Sequence, residues 1–210
     1  MNLVDMRTIV RRDLRDEDAN NYRWTNDELD RHIGHAVKDY SGAVPCEQKA
    51  IKVTVSGSKE IDISVLSDRI MVEAVEYPIG NFPCRFQRFS LWGDVITLLG
   101  DEIPDGSNVC IYYGHQHTLN VNNSTIPGWH EDLIAAGASG YAAVEWSVYA
   151  VNRVNAGGNG TAGDLLSWGR EKLDFFRLEL KRLGRKNRVR EHSLYRPLYK
   201  PVSKTTDYGP

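Results

Sequence analysis

Cysteine is scarce in this 210-residue chain: Cys46, Cys84 and Cys110 are too few and too scattered for a disulfide framework, and no CxxC pair marks a zinc site. They read as reduced thiols in a cytosolic setting. Long apolar runs are missing as well. No window approaches the roughly 20 consecutive apolar residues that a bilayer-spanning helix needs, and the opening stretch MNLVDMRTIVRRDLRDED is charged where a signal peptide would be apolar. Export and membrane insertion are therefore disfavoured. Catalytic signatures are equally thin. There is no GxSxG elbow, and the glycine-rich NAGGNGTAG at 155–163 lacks the Lys-Ser/Thr ending of a phosphate loop and follows a helical pattern.

Net charge is also nearly absent, −2 from 26 basic and 28 acidic residues, so the total favours no polyanionic or polycationic partner. The distribution is more informative. Residues 181–210 hold nine basic and two acidic side chains, a balance of +7, which leaves −9 for residues 1–180. A negative body with a positive C-terminal end marks an interaction tail whose partner presents acidic surface.

The first forty residues read as two helices. Met6, Ile9, Val10 and Leu14 recur at helical spacing beside Arg7, Arg11, Arg12 and Arg15, and the polar run Asp16–Asn21 follows. Thr25-x-x-Glu28 is a capping box ahead of the stripe Leu29, Ile33, Ala36, Val37 and Tyr40, which Gly42 and Pro45 close. From Ala50 to about Leu119 the period changes to two. Ile51, Val53 and Val55, then Ile61, Ile63 and Val65, alternate, and further strands are expected at 70–77, 82–91, 95–99 and 109–113. Turns are expected at Ser56-Gly57-Ser58, Gly80-Asn81, Gly93-Asp94 and Asp105-Gly106. Two longer helices follow Pro127. The first, 129–154, carries the small-residue run Ala135–Gly140, and the second aligns Leu166, Leu173, Phe176, Leu180 and Leu183.

After Gly184 the apolar periodicity stops, and RKNRVREHSLYRPLYKPVSKTTDYGP is expected to form an extended arm. The pattern as a whole predicts an α+β protein. It has a four-helix frame (two N-terminal and two C-terminal helices) with an inserted antiparallel β domain and the extended arm, divided as 1–45, 46–125, 126–184 and 185–210.

Three imidazoles, His115, His117 and His130, invite a metal reading, and with it a hydrolase or metal enzyme, and His32 with His35, at i,i+3 on the second helix, could also bind a metal together. Places at a strand end and a helix start for the first set, and on a surface or interface for the second, are the favoured explanation, since no carboxylate pattern singles the three imidazoles out. Paired carboxylates Asp27-Glu28, Asp101-Glu102 and Glu131-Asp132 fall in turns or first helical turns, where capping accounts for them. No cofactor and no catalysis are expected. The arm is the candidate site. Arg185, Lys186, Arg188, Arg190, Arg196 and Lys200 interleave with Leu194, Tyr195, Leu198 and Tyr199. Such a segment can contact phosphate and stack on bases, as a DNA-binding accessory protein would, or thread across another protein. The acidic body, the prolines and the apolar residues at 194, 198 and 202 favour a protein partner.

The run Tyr22-Arg23-Trp24-Thr25-Asn26-Asp27-Glu28-Leu29-Asp30-Arg31-His32-Ile33, continuing through Ala36-Val37-x-x-Tyr40-Ser41, resembles the head-to-tail connector (adaptor) proteins of tailed bacteriophages. In that family a short helix leads into such a capped helix, a variable middle follows, and two longer helices precede an extended C-terminal arm. The resemblance implies a structural virion protein of the neck, made in the host cytoplasm. It would form a ring, expected as a dodecamer, below the portal protein, with 185–200 as the portal-binding arm. Genomic DNA would pass through the lumen without specific binding, and a downstream neck or tail protein would dock beneath. The β-rich middle, 46–125, exceeds the small hairpin of compact members, and the resemblance assigns it no role.

Overall fold

The computed structural model describes residues 1–150 and 162–194, the side chains of 150 and 187–194 excepted. The described chain is α+β, with four helices and antiparallel sheets. Two compact units divide it: Met1–Gln48, Asp68–Met71 and Gly114–Gly184 form a helical unit, and Lys49–Ser67 with Val72–Tyr113 form a β unit. Among the described residues no helix is long and apolar enough to cross a membrane.

The helical unit contains α1 (Leu3–Asp13), α2 (Asn26–Ala43), α3 (Glu131–Ala150) and α4 (Ala162–Leu194) as far as Gly184. The expected capping box opens α2: Thr25 Oγ1 accepts from the Glu28 amide at 3.2 Å and the Glu28 carboxylate accepts from the Thr25 amide at 2.7 Å. A second box, Asn2 with Asp5, starts α1 and escaped the sequence reading. Leu29, Ile33, Ala36, Val37 and Tyr40 are all buried, as their spacing predicts, against Met6, Val10 and Leu14 of the first helix and Ile134, Ala138 and Ala142 of the third.

The basic face read on α1 is largely consumed inside the unit. Arg7 grips Asp30 through two nitrogens, and Arg11 is buried against Asp16, with its guanidinium 3.5 Å from the centre of the Tyr22 ring. Arg11 also donates to the Trp24 carbonyl and to Asn26 Oδ1, both at 3.0 Å. Asp16 in turn accepts from the amides of Arg23 at 2.7 Å and Trp24 at 3.5 Å. The polar run between the helices is thus folded around one ion pair. That geometry needs a left-handed residue after α1. Arg15 fills the place with φ of 53°, while the Asp16 amide reaches back to the Arg11 carbonyl at 2.9 Å.

The small-residue run Ala135–Gly140 lets α3 pack closely against α4 of the same chain. A Cβ on Gly140 would stand 2.8 Å from Leu173 Cγ and 3.1 Å from the Gly169 carbonyl oxygen, and one on Gly137 would meet the fully buried Phe176 ring at 2.9 Å. Gly34 of α2 faces open space instead.

A four-stranded sheet has the order β1 (Cys46–Val53), β7 (Asn108–His115), β3 (Arg69–Glu76), β4 (Phe86–Gln87). A three-stranded sheet has the order β2 (Glu60–Asp62), β6 (Val95–Leu98), β5 (Phe89–Trp92). Ile61, Ile96 and Leu98 of the small sheet, Ile63 just after β2, and Val75, Val109, Ile111 and Tyr113 of the large sheet share a single core. The β5–β6 hairpin closes at Gly93, φ 54°, with Trp92 opposite Val95. The Asp105-Gly106 turn is pinned by the Tyr77 hydroxyl, which donates to Asp105 Oδ1 at 2.9 Å and accepts from the Asp105 amide at 3.0 Å.

The first strand corrects the reading by parity. Ile51, Val53 and Val55 point to solvent, 61%, 71% and 66% exposed, while Ala50 packs on the core and Thr54 is buried with its hydroxyl on the Ser107 carbonyl at 2.7 Å. Alternation fixes which residues share a face but not which face turns inward.

Asp16→Ala leaves a buried guanidinium without its counter-ion and is expected to cost about 3–5 kcal/mol in urea or guanidinium unfolding; a loss under about 1 kcal/mol would show that the loop is held otherwise. Gly140→Ala is expected to destabilise by about 1–3 kcal/mol through overpacking. Gly34→Ala, in open space, stabilises by up to about 1 kcal/mol through helix propensity. The opposite signs are readable in the same denaturation assay.

Candidate functional site

The three histidines do not converge. His117 is clamped: Nε2 lies 3.1 Å from the Val44 carbonyl and Nδ1 3.0 Å from both the carbonyl and the hydroxyl of Thr125. A neutral imidazole carries one N–H, so the ring donates to the carbonyl of Val44 or to that of Thr125 and not to both at once. The Tyr40 ring lies between His117 and His130, with centroids 5.1 and 5.4 Å away, and its hydroxyl meets His130 Nδ1 at 2.6 Å. Burial pushes the Tyr40 hydroxyl up to about 12, so it stays protonated. His115 Nδ1 lies 3.6 Å from Asp68 Oδ2. Among the described residues no group of three or more His, Cys, Asp or Glu is arranged to hold a metal ion. His117 thus joins the end of α2 to the segment after β7, as does Ser41, whose hydroxyl accepts from the His117 amide at 2.9 Å.

That segment forms one wall of a cleft of about 490 Å³ whose other lining includes Leu3, Ile33 and Val37. Its carboxylates are Asp30, gripped by Arg7, and Asp68, beside His115. The lining offers no serine or cysteine nucleophile and no pair of carboxylates placed for acid–base work. Deeper between α2 and α3 sits His32, almost wholly buried. Neither ring nitrogen makes a hydrogen bond, and Glu145 Oε2 stands 3.5 Å from Nε2 while also belonging to the carboxylate that pairs with Arg31. Burial lowers its proton affinity below the ordinary imidazole value of 6.5, outweighing the attraction of Glu145, and burial does the same for His117.

The C-terminal candidate residues divide into three groups. Arg185 and Lys186 are exposed on α4. Positions 188, 190 and 194 lie on the same helix, which runs unbroken from Ala162 to Leu194. Tyr195, Arg196, Leu198, Tyr199 and Lys200 lie outside the described residues. The expectation of an extended arm from 185 is therefore corrected for 185–194. Loss of an apolar stripe removes the packing face but not the helix. Three arginines with Lys186, Glu191 and Leu194 supply helical propensity there, cations suit the negative end of the helix dipole, and no proline intervenes before Pro197.

A further surface escaped the sequence reading. Phe175 and Leu178 of α4 are 52% and 65% exposed, on the side away from buried Leu173, Phe176 and Leu180. Their i,i+3 spacing was the available signal, masked by the stronger stripe beside it. No protein-family model matches the chain, and no curated protein sequence matches it.

Because the folded state holds His32 and His117 neutral, the unfolded chain takes up protons first on acidification. Their contribution to stability is complete above about pH 6.5, falls as pH drops through 6.5 towards the lowered folded values, and then levels off. Urea midpoints between pH 8 and 5 should show that decline, reduced in a His32→Leu variant. A flat profile would contradict it.

Proposed function

We propose that this chain is a non-enzymatic structural protein of a phage virion neck: a head-to-tail adaptor that assembles as a ring, expected to be dodecameric, beneath the portal. In this reading it continues the DNA channel and presents a docking surface to the next neck or tail component. The observation that carries the reading is the division of charge, −9 over residues 1–180 against +7 over 181–210, with the positive part beginning on an exposed helical stem at Lys181, Arg182, Arg185 and Lys186. The capped α2 with its preceding Tyr22-Arg23-Trp24 segment supports it through the resemblance. A negative channel wall suits DNA that must slide, since cations there would release counter-ions and grip the phosphates. The stem and the residues beyond it would engage the portal, with repeated copies adding avidity. A ring also requires that one face of each subunit meet a different face of the next.

The continuous basic stem favours one second reading, a DNA-binding accessory protein. The two separate by partner and by salt. Cosedimentation with portal rings should retain the full chain and lose at least about 100-fold in affinity when 185–210 is deleted, because the avidity of the arms is removed together. Portal docking that survives the deletion overturns the arm assignment. Tight duplex binding that weakens steeply between about 50 and 200 mM salt favours the second reading.

A further inference from the structure

We infer that α4 carries a self-complementary seam through which two free copies of this chain associate as a two-fold, antiparallel pair. The seam consists of Glu171, Phe175, Leu178 and Arg182, at i, i+4, i+7 and i+11, the spacing that keeps one strip of a helix facing a neighbour. All four are exposed, and the two apolar members are more than half open to solvent. The helix is anchored to its own unit by the other side, through Leu173, Phe176 and Leu180. Among the described residues the two apolar side chains of the strip are therefore left largely open.

Charge selects the occupant. About a two-fold axis passing between positions 176 and 177, an antiparallel second copy sets its Leu178 against Phe175 and its Arg182 against Glu171, and the same contacts repeat in reverse. On one flank Asp174 then faces the second copy's Lys181. A parallel copy would place Glu171 on Glu171 and Arg182 on Arg182, like charge on like. Arg182 already leans on Glu179 of its own helix at 2.8 Å, using the Nε and one terminal nitrogen on a single oxygen. The other terminal nitrogen of the fork is left to reach the second copy's Glu171. Such a contact is isologous and cannot build a ring. It therefore belongs to the free protein and holds whether or not the chain enters a neck.

Sedimentation velocity of the full chain across a concentration series tests this. A concentration-dependent dimer is expected, with Leu178→Glu weakening it by at least about tenfold while far-ultraviolet circular dichroism and the thermal midpoint stay unchanged, since the side chain is exposed. Glu171→Arg and Arg182→Glu should each weaken it, and the two combined should recover the dimer to within about threefold of the original, a restoration that only direct pairing produces. A chain that stays monomeric to about 1 mM, a dimer indifferent to Leu178→Glu, or a charge swap that fails to recover would each overturn the seam.

Discussion

The helical unit depends on one buried ion pair. Arg11 and Asp16 are five residues apart, on either side of the end of α1, and both side chains are almost completely removed from water. A buried charge is tolerable only when its counter-ion and hydrogen-bonding partners are in place. Here the partners are the Trp24 carbonyl, Asn26, and the amides of Arg23 and Trp24, so satisfying the pair dictates the path of the whole inter-helix loop. Arg15 accepts a left-handed backbone to let Asp16 turn back, and Trp24 is delivered to the core, its ring 5.2 Å from Trp146 of α3. The start of α2 follows at once, with Thr25 as its cap. Everything that leans on α2, from the Tyr40–His130 contact to the glycine-lined meeting of α3 and α4, inherits its position from that loop.

The polar side chains that most resembled chemistry serve the same structural end. A histidine can join two carbonyl-rich segments because its two nitrogens point in opposite directions, and His117 does so between Val44 and Thr125. His130 is held by a tyrosine hydroxyl, and His32 is enclosed between helices beside a single carboxylate. Histidines held this way are committed to packing, which leaves surface charge and exposed apolar side chains as the features able to address other molecules.

Both kinds of feature occur together on α4, where Phe175 and Leu178 stand exposed beside charged residues. Its inner side is apolar and anchored, its outer side alternates acidic, apolar and basic residues, and its last turns carry the beginning of the positive C-terminal region. A helix with acidic residues early and basic residues late is stabilised by its own dipole and is, by the same ordering, complementary to a reversed copy of itself. The proposed portal contact and the inferred two-fold association therefore draw on one charge gradient, the first on the positive stem from Lys181 onward and the second on the strip from Glu171 to Arg182.

Much of the architecture was legible from local rules. Thr25 with Glu28 starts a helix wherever the chain can form one, the Leu29–Tyr40 stripe can bury only one face, and Gly93 and Gly106 turn because the strands around them need positive φ. The end of α4 was misjudged because apolar periodicity reports packing, whereas helix persistence depends on propensity and end charges. The sequence by itself determined the α+β class, the order of the four helices around the β-rich middle and the division of charge, since these follow from near-neighbour sterics and composition. Only the tertiary structure decided that Ile51, Val53 and Val55 face outward, that Arg11 lies inside, that three histidines part company, and that Phe175 and Leu178 remain uncovered. Each of these depends on which distant surface arrives at a given face, a property of chain topology that local periodicity does not encode.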